Sequence, residues 1–437
     1  MNKLFFLTTI VLILTVASCK KEINNPDLKQ EEVTGKPPSP PPPPASILQW
    51  QKCIGSSTDD FGTAVAKASD GYFVAGYTTD INGNRNAIVS KINLDGTIVD
   101  WQKTVGGASS DEAAGVVSTG DGGCLIAGHT NSLDGDLNSN HGGGDVLLAK
   151  LSASGTIEWT KALGGSGYDR AWALINTIDG GFAIAGQTTS SDGDLSSTPS
   201  LNNNGRIWLI KLDNAGNIEW QKTFAVDGAK DDVGYSIAQS SDGGYIIAGR
   251  TLSIDNNADI CVLNVNSTGN VNWTKTIGSS GGGGDVGFGV TTSMANDGYV
   301  VTGYLGAYNL IAEKLDNDGT VVWQKIFAGS TSGGIMGRAI LSTNQGYIIT
   351  GQTSSKNGDI IASKGDIDMF ILRLDLSGSK ISTNGVNVLG GKNSDAGKAV
   401  ITATDAGYIA VGNTSSNNGD VSGNHGGSDM WVVKFDF

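Results

Sequence analysis

Two groups of side chains in this sequence have the types and spacing to do chemistry. Asp134-Gly135-Asp136-Leu137-Asn138 leads on to Asp145, and Asn418-Gly419-Asp420-Val421-Ser422 leads on to Asp429. In both segments oxygen-bearing side chains fall at positions 1, 3, 5 and 12. Alternate oxygens at that spacing can converge on a hard cation, so calcium is the one cofactor the sequence suggests. The same residue types also build Asx turns with no metal at all. Position 12 is Asp rather than the bidentate Glu of a calcium loop and no helix flanks either segment, so both readings stand.

The second group is defined by equivalence rather than by spacing. Directly after a recurring apolar run that ends in Gly stand Tyr77, His129, Gln187, Arg250, Tyr304, Gln352 and Asn413. A further set of equivalent positions holds Thr63, Ala114, Trp172, Tyr235, Phe288, Arg338 and Lys398. Aromatic faces, amides and guanidinium groups gathered in one place suit the stacking and hydrogen bonding of sugars. As ligand-binding candidates the sequence therefore offers the first set together with Trp172, Tyr235 and Phe288. The alternative is that these side chains merely fill the bases of loops.

Catalytic patterns are thin. Gly278-Ser279-Ser280-Gly281-Gly282 has the form Gly-x-Ser-x-Gly, but it lies in a glycine run with no helix to follow, where a nucleophile elbow requires a strand-to-helix turn. Of the three His, His141 and His425 occupy equivalent loop positions, which marks a repeat feature rather than a base. No catalytic residue is assigned. Asp60, Asp111, Asp169, Asp232, Asp285 and Asp395 recur at one position, with Ile335 the exception. Recurrence on that scale points to carboxylates capping the amides of their own loops.

The elements that position these residues are legible as repeats. Trp-x-Lys occurs at Trp50, Trp101, Trp159, Trp220, Trp273 and Trp323, spaced 50 to 61 residues apart. An apolar run ending in Gly occurs at Gly76, Gly128, Gly186, Gly249, Gly303, Gly351 and Gly412, each preceded by an Asp-Gly turn or a variant of it. Each copy reads as four short strands separated by Gly and Asp turns, with no helical periodicity. Seven such copies predict an all-β fold, a seven-bladed β-propeller of four-stranded antiparallel blades spanning residues 47–437. The partial copies at the two ends predict closure of the ring by pairing N-terminal and C-terminal strands in one blade, two strands from each end. With the Gly-ending strand placed innermost, the connections after that strand and after the Trp strand share one face and are long and unequal. The first candidate set then surrounds the mouth of the central channel on that face.

Composition sets the outer limits. With 64 Gly among 437 residues and 16% charged residues, the chain is neither a helical bundle nor a disordered polymer. A net charge of −14 leaves no basic surface for nucleic acid, so none is expected as a partner. Cys53, Cys124 and Cys261 are odd in number and lie in apolar runs, which predicts buried free thiols.

The first residues carry an address. Lys3 precedes an apolar run from Leu4 to Val16, and Ala17-Ser18-Cys19 follows, the anatomy of an export signal over residues 1–18. Val16-Ala17-Ser18-Cys19 resembles the lipobox of bacterial lipoproteins, and Cys19-Lys20-Lys21-Glu22 is similar to the mature start of many lipoproteins of the Bacteroidota. The resemblance implies a lipid on Cys19, a membrane partner through that lipid, and an outer-membrane address facing the periplasm or the exterior. Residues 19–46 end in a proline run that favours an extended spacer.

Residues 47–437 resemble the Gly/Trp-rich β-propeller repeats of secreted and lipid-anchored proteins of the Bacteroidota, on the pattern Trp220-Gln221-Lys222 followed by Asp242-Gly243-Gly244-Tyr245-Ile246-Ile247-Ala248-Gly249. A partial likeness to the quinoprotein propeller motif, in Leu212 to Trp220, concerns a structural staple. The expectation is an anchored monomer that binds a glycan or an envelope protein without catalysis. The alternative is a carbohydrate-active hydrolase or lyase working at the channel mouth with residues such as His129, Tyr304 and Arg250.

Overall fold

Runs of β-branched residues cut by Gly turns form strands here throughout. The computed structural model describes residues 47–137, 139–196, 204–226, 231–252, 257–279, 284–306, 309–330, 333–362 and 364–437. The export signal, Cys19 and the proline-rich spacer lie outside the described residues. The described residues form seven four-stranded antiparallel sheets, a seven-bladed β-propeller as the repeats predict. Blade I shows the plan, from the axis outward: Asp60–Lys67, Gly71–Thr79, Arg85–Asn93 and Val99–Val105. Blades II to VI repeat it between Asp111 and Leu389.

Two expectations about strand order are corrected. The Gly-ending strand is second in each blade, and the innermost strand is the one that starts at the recurrent Asp. The second strand is covered by neighbouring blades on both faces, so Cys124–Thr130 is buried at every residue. Blade VII closes with three strands from the C-terminal part, Asp395–Thr402, Tyr408–Thr414 and Asp429–Phe435, and one from the N-terminal part, Leu48–Ile54. The split is three and one rather than two and two. Cys53 pairs with Trp431 and Ile54 with Met430, which covers the edge that an open blade would expose.

The hydrophobic core is a ring of seven wedges, each between adjacent blades. Phe73 and Val89 of blade I meet Val116 and Leu147 of blade II, and Leu125 and Leu148 of blade II meet Trp208 and Ile210 of blade III. The last wedge joins Val411 and Val432 of blade VII to Val74 and Ile88 of blade I. Cys53, Cys124 and Cys261 are free and buried, and burial pushes the Cys53 and Cys124 thiols up to about 12.

The repeated Trp ties the wedges together at the rim. The indole of each outermost strand lies on a turn glycine of the next blade: Trp50 on Gly96, Trp101 on Gly155, Trp159 on Gly216, Trp220 on Gly269, Trp273 on Gly319 and Trp323 on Gly378. All six glycines have positive φ, between 71° and 81°, so the turn requires them as much as the indole does. Trp101 Nε1 also donates to Ala153 O at 2.9 Å and Trp273 Nε1 to Asn317 O at 2.8 Å. In blade VI the Trp position is Gly385, whose carbonyl accepts from Arg373 N at 2.8 Å. A Trp there would face blade VII, whose third and outermost strands come from opposite ends of the chain and have no turn to receive it.

Candidate functional site

One backbone irregularity recurs in every innermost strand. Pairing with the second strand slips between Gly62 and Ala64, Ala113 and Gly115, Ala171 and Ala173, Gly234 and Ser236, Gly287 and Gly289, Gly337 and Ala339, and Gly397 and Ala399. A β-bulge leaves one residue unpaired and re-aims its side chain. The bulged residues are Thr63, Ala114, Trp172, Tyr235, Phe288, Arg338 and Lys398, so the second candidate set is a ring of seven set by seven bulges. All seven line a cavity of about 430 Å³ at the channel mouth, together with Phe61, Tyr77, Glu112, Arg170 and Asn413.

The mouth is unequal around its circumference. Trp172 and Tyr235 meet edge to face at 5.1 Å, and tilted pairs follow, Tyr235 and Phe288 at 5.3 Å and Phe288 and Tyr304 at 5.9 Å, an aromatic arc across blades III to V. Guanidinium groups stand over two of its rings, Arg170 at 3.9 Å from the Trp172 centroid and Arg338 at 4.1 Å from the Phe288 centroid. Opposite, Phe61 and Tyr77 stack at 5.0 Å. Glu112 bridges Arg170, at 2.6 Å, and Arg85. Burial by itself would raise the Glu112 carboxyl, but Arg170 and Arg85 outweigh it and its pKa is lowered. Burial, and then neighbouring Arg338, push the Lys398 ammonium down to about 8.

The candidate residues divide on this geometry. Tyr77, Trp172, Tyr235, Phe288 and Asn413 line the cavity, and Tyr304 extends the arc. Gln187 and Arg250 are engaged by Asp231, each at 2.5 Å. His129 is buried, packs on Tyr168 at 5.0 Å and places Nδ1 3.2 Å from Asp169 O. Burial pushes its pKa down. Gln352 pairs with Met336 in blade VI and does not line the cavity.

Sequence reasoning missed Phe61, Glu112 and Arg170. They precede the residue that pairs with the second-strand glycine, and pair with Tyr77, His129 and Gln187. The available signal was the opposite charge of Glu112 and Arg170 at one repeat position in neighbouring blades.

The face opposite the Asp-Gly turns carries the variable loops, but one of its two connections does most of the varying. The loop after the second strand runs over 80–84 in blade I, 131–145 in blade II and 189–205 in blade III, whereas the loop into the innermost strand keeps to 55–59, 106–110 and 164–168. The recurrent Asp residues hold the loop into the innermost strand. Asp60, Asp111, Asp169, Asp232, Asp285 and Asp395 each accept a backbone amide from it, at 2.6 to 3.0 Å.

In the two aspartate loops, Asp134 accepts from Ala108 N at 2.8 Å and Asp136 from Gly106 N at 3.2 Å. Asn418 and Asp420 accept in the same way from Lys392 N at 2.8 Å and Gly390 N at 3.0 Å. Asp145 and Asp429 accept from His141 N and His425 N, and Ser422 Oγ lies 2.7 Å from Gln51 Nε2. Asn138 lies outside the described residues. Asp134, Asp136, Asn418 and Asp420 cap amides of the neighbouring loop, Asp145 and Asp429 cap amides of their own, and among the described residues no group of three or more His, Cys, Asp or Glu is placed to hold a metal.

No family model and no curated protein matches the chain. Solved structures do. A periplasmic gluconolactonase of Pseudomonas aeruginosa is 13% identical with a TM-score of 0.46, the match covering 76% of this chain and 87% of that one. A protein of unknown function from Dyadobacter fermentans is 13% identical with a TM-score of 0.47, covering 89% and 99%. A putative 6-phosphogluconolactonase from Bacteroides fragilis is 10% identical with a TM-score of 0.44, covering 81% and 87%. At these identities the likeness is one of fold alone.

Proposed function

We propose that this chain is an envelope-anchored binding module, held by a lipid on Cys19, that takes a glycan at the channel mouth without cleaving it. The observation that carries the reading is the arc from Trp172 through Tyr235 to Phe288. Three aromatic rings across three blades offer faces and edges to sugar rings, and Trp172 Nε1 is buried with no partner among the described residues. Catalysis is disfavoured by the carboxylates. Glycoside hydrolysis calls for a pair, one of them with a raised pKa. Glu112 is the carboxylate that lines the cavity, and it is fixed between two arginines with its pKa lowered.

Native gels cast with a panel of polysaccharides, followed by an assay for reducing ends, test this. Retardation without cleavage, lost in Trp172→Ala, is expected. Release of reducing ends would replace the reading with that of a hydrolase, and absence of both effects would remove the glycan. Palmitate labelling in the native host, lost in Cys19→Ser, tests the anchor.

A further inference from the structure

The cations of the mouth are not all accounted for. Arg85 and Arg170 are both paired with Glu112, and Arg250 with Asp231. Arg338 and Lys398 differ. They occupy adjacent ring positions in blades VI and VII, line both the mouth and the channel below it, and have no ion pair or hydrogen bond among the described residues. Arg338 Nε is buried without a partner. The groups that act electrostatically on this pair are Arg338 itself, on Lys398, and the Tyr304 and Tyr235 hydroxyls, on Arg338, with no carboxylate among them.

Two like charges held side by side in a half-buried cavity cost free energy unless something negative joins them. The chain carries 43 acidic residues against 29 Lys and Arg, so a carboxylate to neutralise them was not scarce in composition. The arginine is also pre-oriented. Its guanidinium carbon stands 4.1 Å from the Phe288 ring centroid, and its N–H groups, unpaired among the described residues, suit a planar two-oxygen group.

We propose that the ligand at this mouth is acidic, with a carboxylate or sulfate gripped by Arg338 and Lys398 while the ring that bears it rests against Phe288 and Tyr235. The inference rests on the glycan reading of the same site and deepens it. The acid group sits where blades VI and VII meet, and the rest of the chain of sugars runs along the arc toward Trp172. Its orientation is thereby fixed, because the opposite side of the mouth presents Glu112.

The test is calorimetric titration of the full-length protein with four probes: trigalacturonate, its carboxyl-reduced counterpart, a sulfated galactose trisaccharide and its desulfated form. At least one acidic probe is expected to bind about tenfold or more tighter than its neutral partner, with an affinity that falls as salt rises. Arg338→Gln and Lys398→Met are each expected to remove most of that difference without lowering the thermal midpoint. Which pair shows the difference distinguishes carboxylate from sulfate. Equal affinity for acidic and neutral forms overturns the acidic ligand and leaves the glycan reading intact. Should none of the four bind, the glycan reading falls, and benzoate is then titrated. Benzoate binding lost in Arg338→Gln upholds the anion site with a ligand that is not a sugar, and no benzoate binding overturns it.

Discussion

Asp145 of blade II and Asp169 of blade III face each other across Gly164. A Cβ at that glycine would stand 2.5 Å from Asp145 Oδ1 and 2.6 Å from Asp169 Oδ2. The arrangement recurs around Gly390 with Asp368 and Asp395, and around Gly55 with Asp429 and Asp60. Asp145, Asp368 and Asp429 are fully buried, and Oδ1 of each lacks a partner. Three blade junctions therefore confine pairs of carboxylates.

Burial first, and the facing acid as well, raise the Asp145 pKa, against hydrogen bonds and charge from His141 that lower it. A carboxyl whose pKa is raised by folding binds its proton more tightly in the folded state. Stability from this group is then full below the ordinary Asp value and declines as pH rises through the raised one. Asp145→Asn keeps an oxygen for His141 N and turns an N–H toward Asp169. It is expected to stabilise the fold by on the order of 1 kcal/mol at pH 7, with the gain shrinking at pH 4. Urea unfolding of both proteins at the two pH values checks it, and an equal effect at both would show that the pair is not what costs stability.

Lys398 supplies a second pH signature. Its pKa of about 8 arises from burial and from Arg338. Affinity for an acidic probe is expected to fall as pH rises through that value, read by titration at pH 6.5 and 9.5. The neutral amine is the form that folding favours, so this group's contribution to stability grows between about 8 and the ordinary Lys value of 10.5. In Arg338→Gln the Lys398 midpoint moves upward, which NMR of methylated lysines reports directly. A midpoint that does not move would separate the two cations.

The rim contacts can be weighed with two glycines. Gly83 and Gly216 both have positive φ, 82° and 74°, but Gly83 has open space around it and Gly216 lies beneath the Trp159 indole. Gly83→Ala is expected to cost about 1 kcal/mol for backbone alone, and Gly216→Ala about 3 kcal/mol, the excess being the indole displaced from the next blade. Chemical denaturation of the two variants measures the difference. Equal losses would mean that the Trp contact contributes nothing beyond covering the turn.

The repeat number, the ring closure and the amide-capping Asp residues were all readable from residue types, because each leaves its mark on Gly, Trp or Asp once per blade. Strand order was not. The Gly-ending strand looks most interior by apolarity, as in Phe182–Thr188, because neighbouring blades bury both of its faces. The true innermost strand has one face on a solvated channel and a bulge that breaks the period of two, so Asp169–Asn176 alternates irregularly between buried and half-buried. Cutting the copies at the glycine strand also assigned Asp395–Thr402 to the wrong blade and produced the even split at closure. Arg170 and Glu112 escaped for a related reason. Their repeat position holds Phe61, Val233, Val286, Met336 and Ala396 elsewhere, which reads as noise until the register sets it against the ring of polar residues on the second strand.

The first and last strands of the described propeller meet at the outer edge of blade VII, where Asp436 N donates to Ile47 O at 3.0 Å. The ring is thus geometrically indifferent to which connection is left open. A circular permutant that joins these strands through a glycine turn like the one at Gly96, and opens at residues 80–84 instead, retains all seven blades and every wedge between them. The starting blade is a matter of gene architecture, and the axis presents the same circle of side chains wherever translation begins.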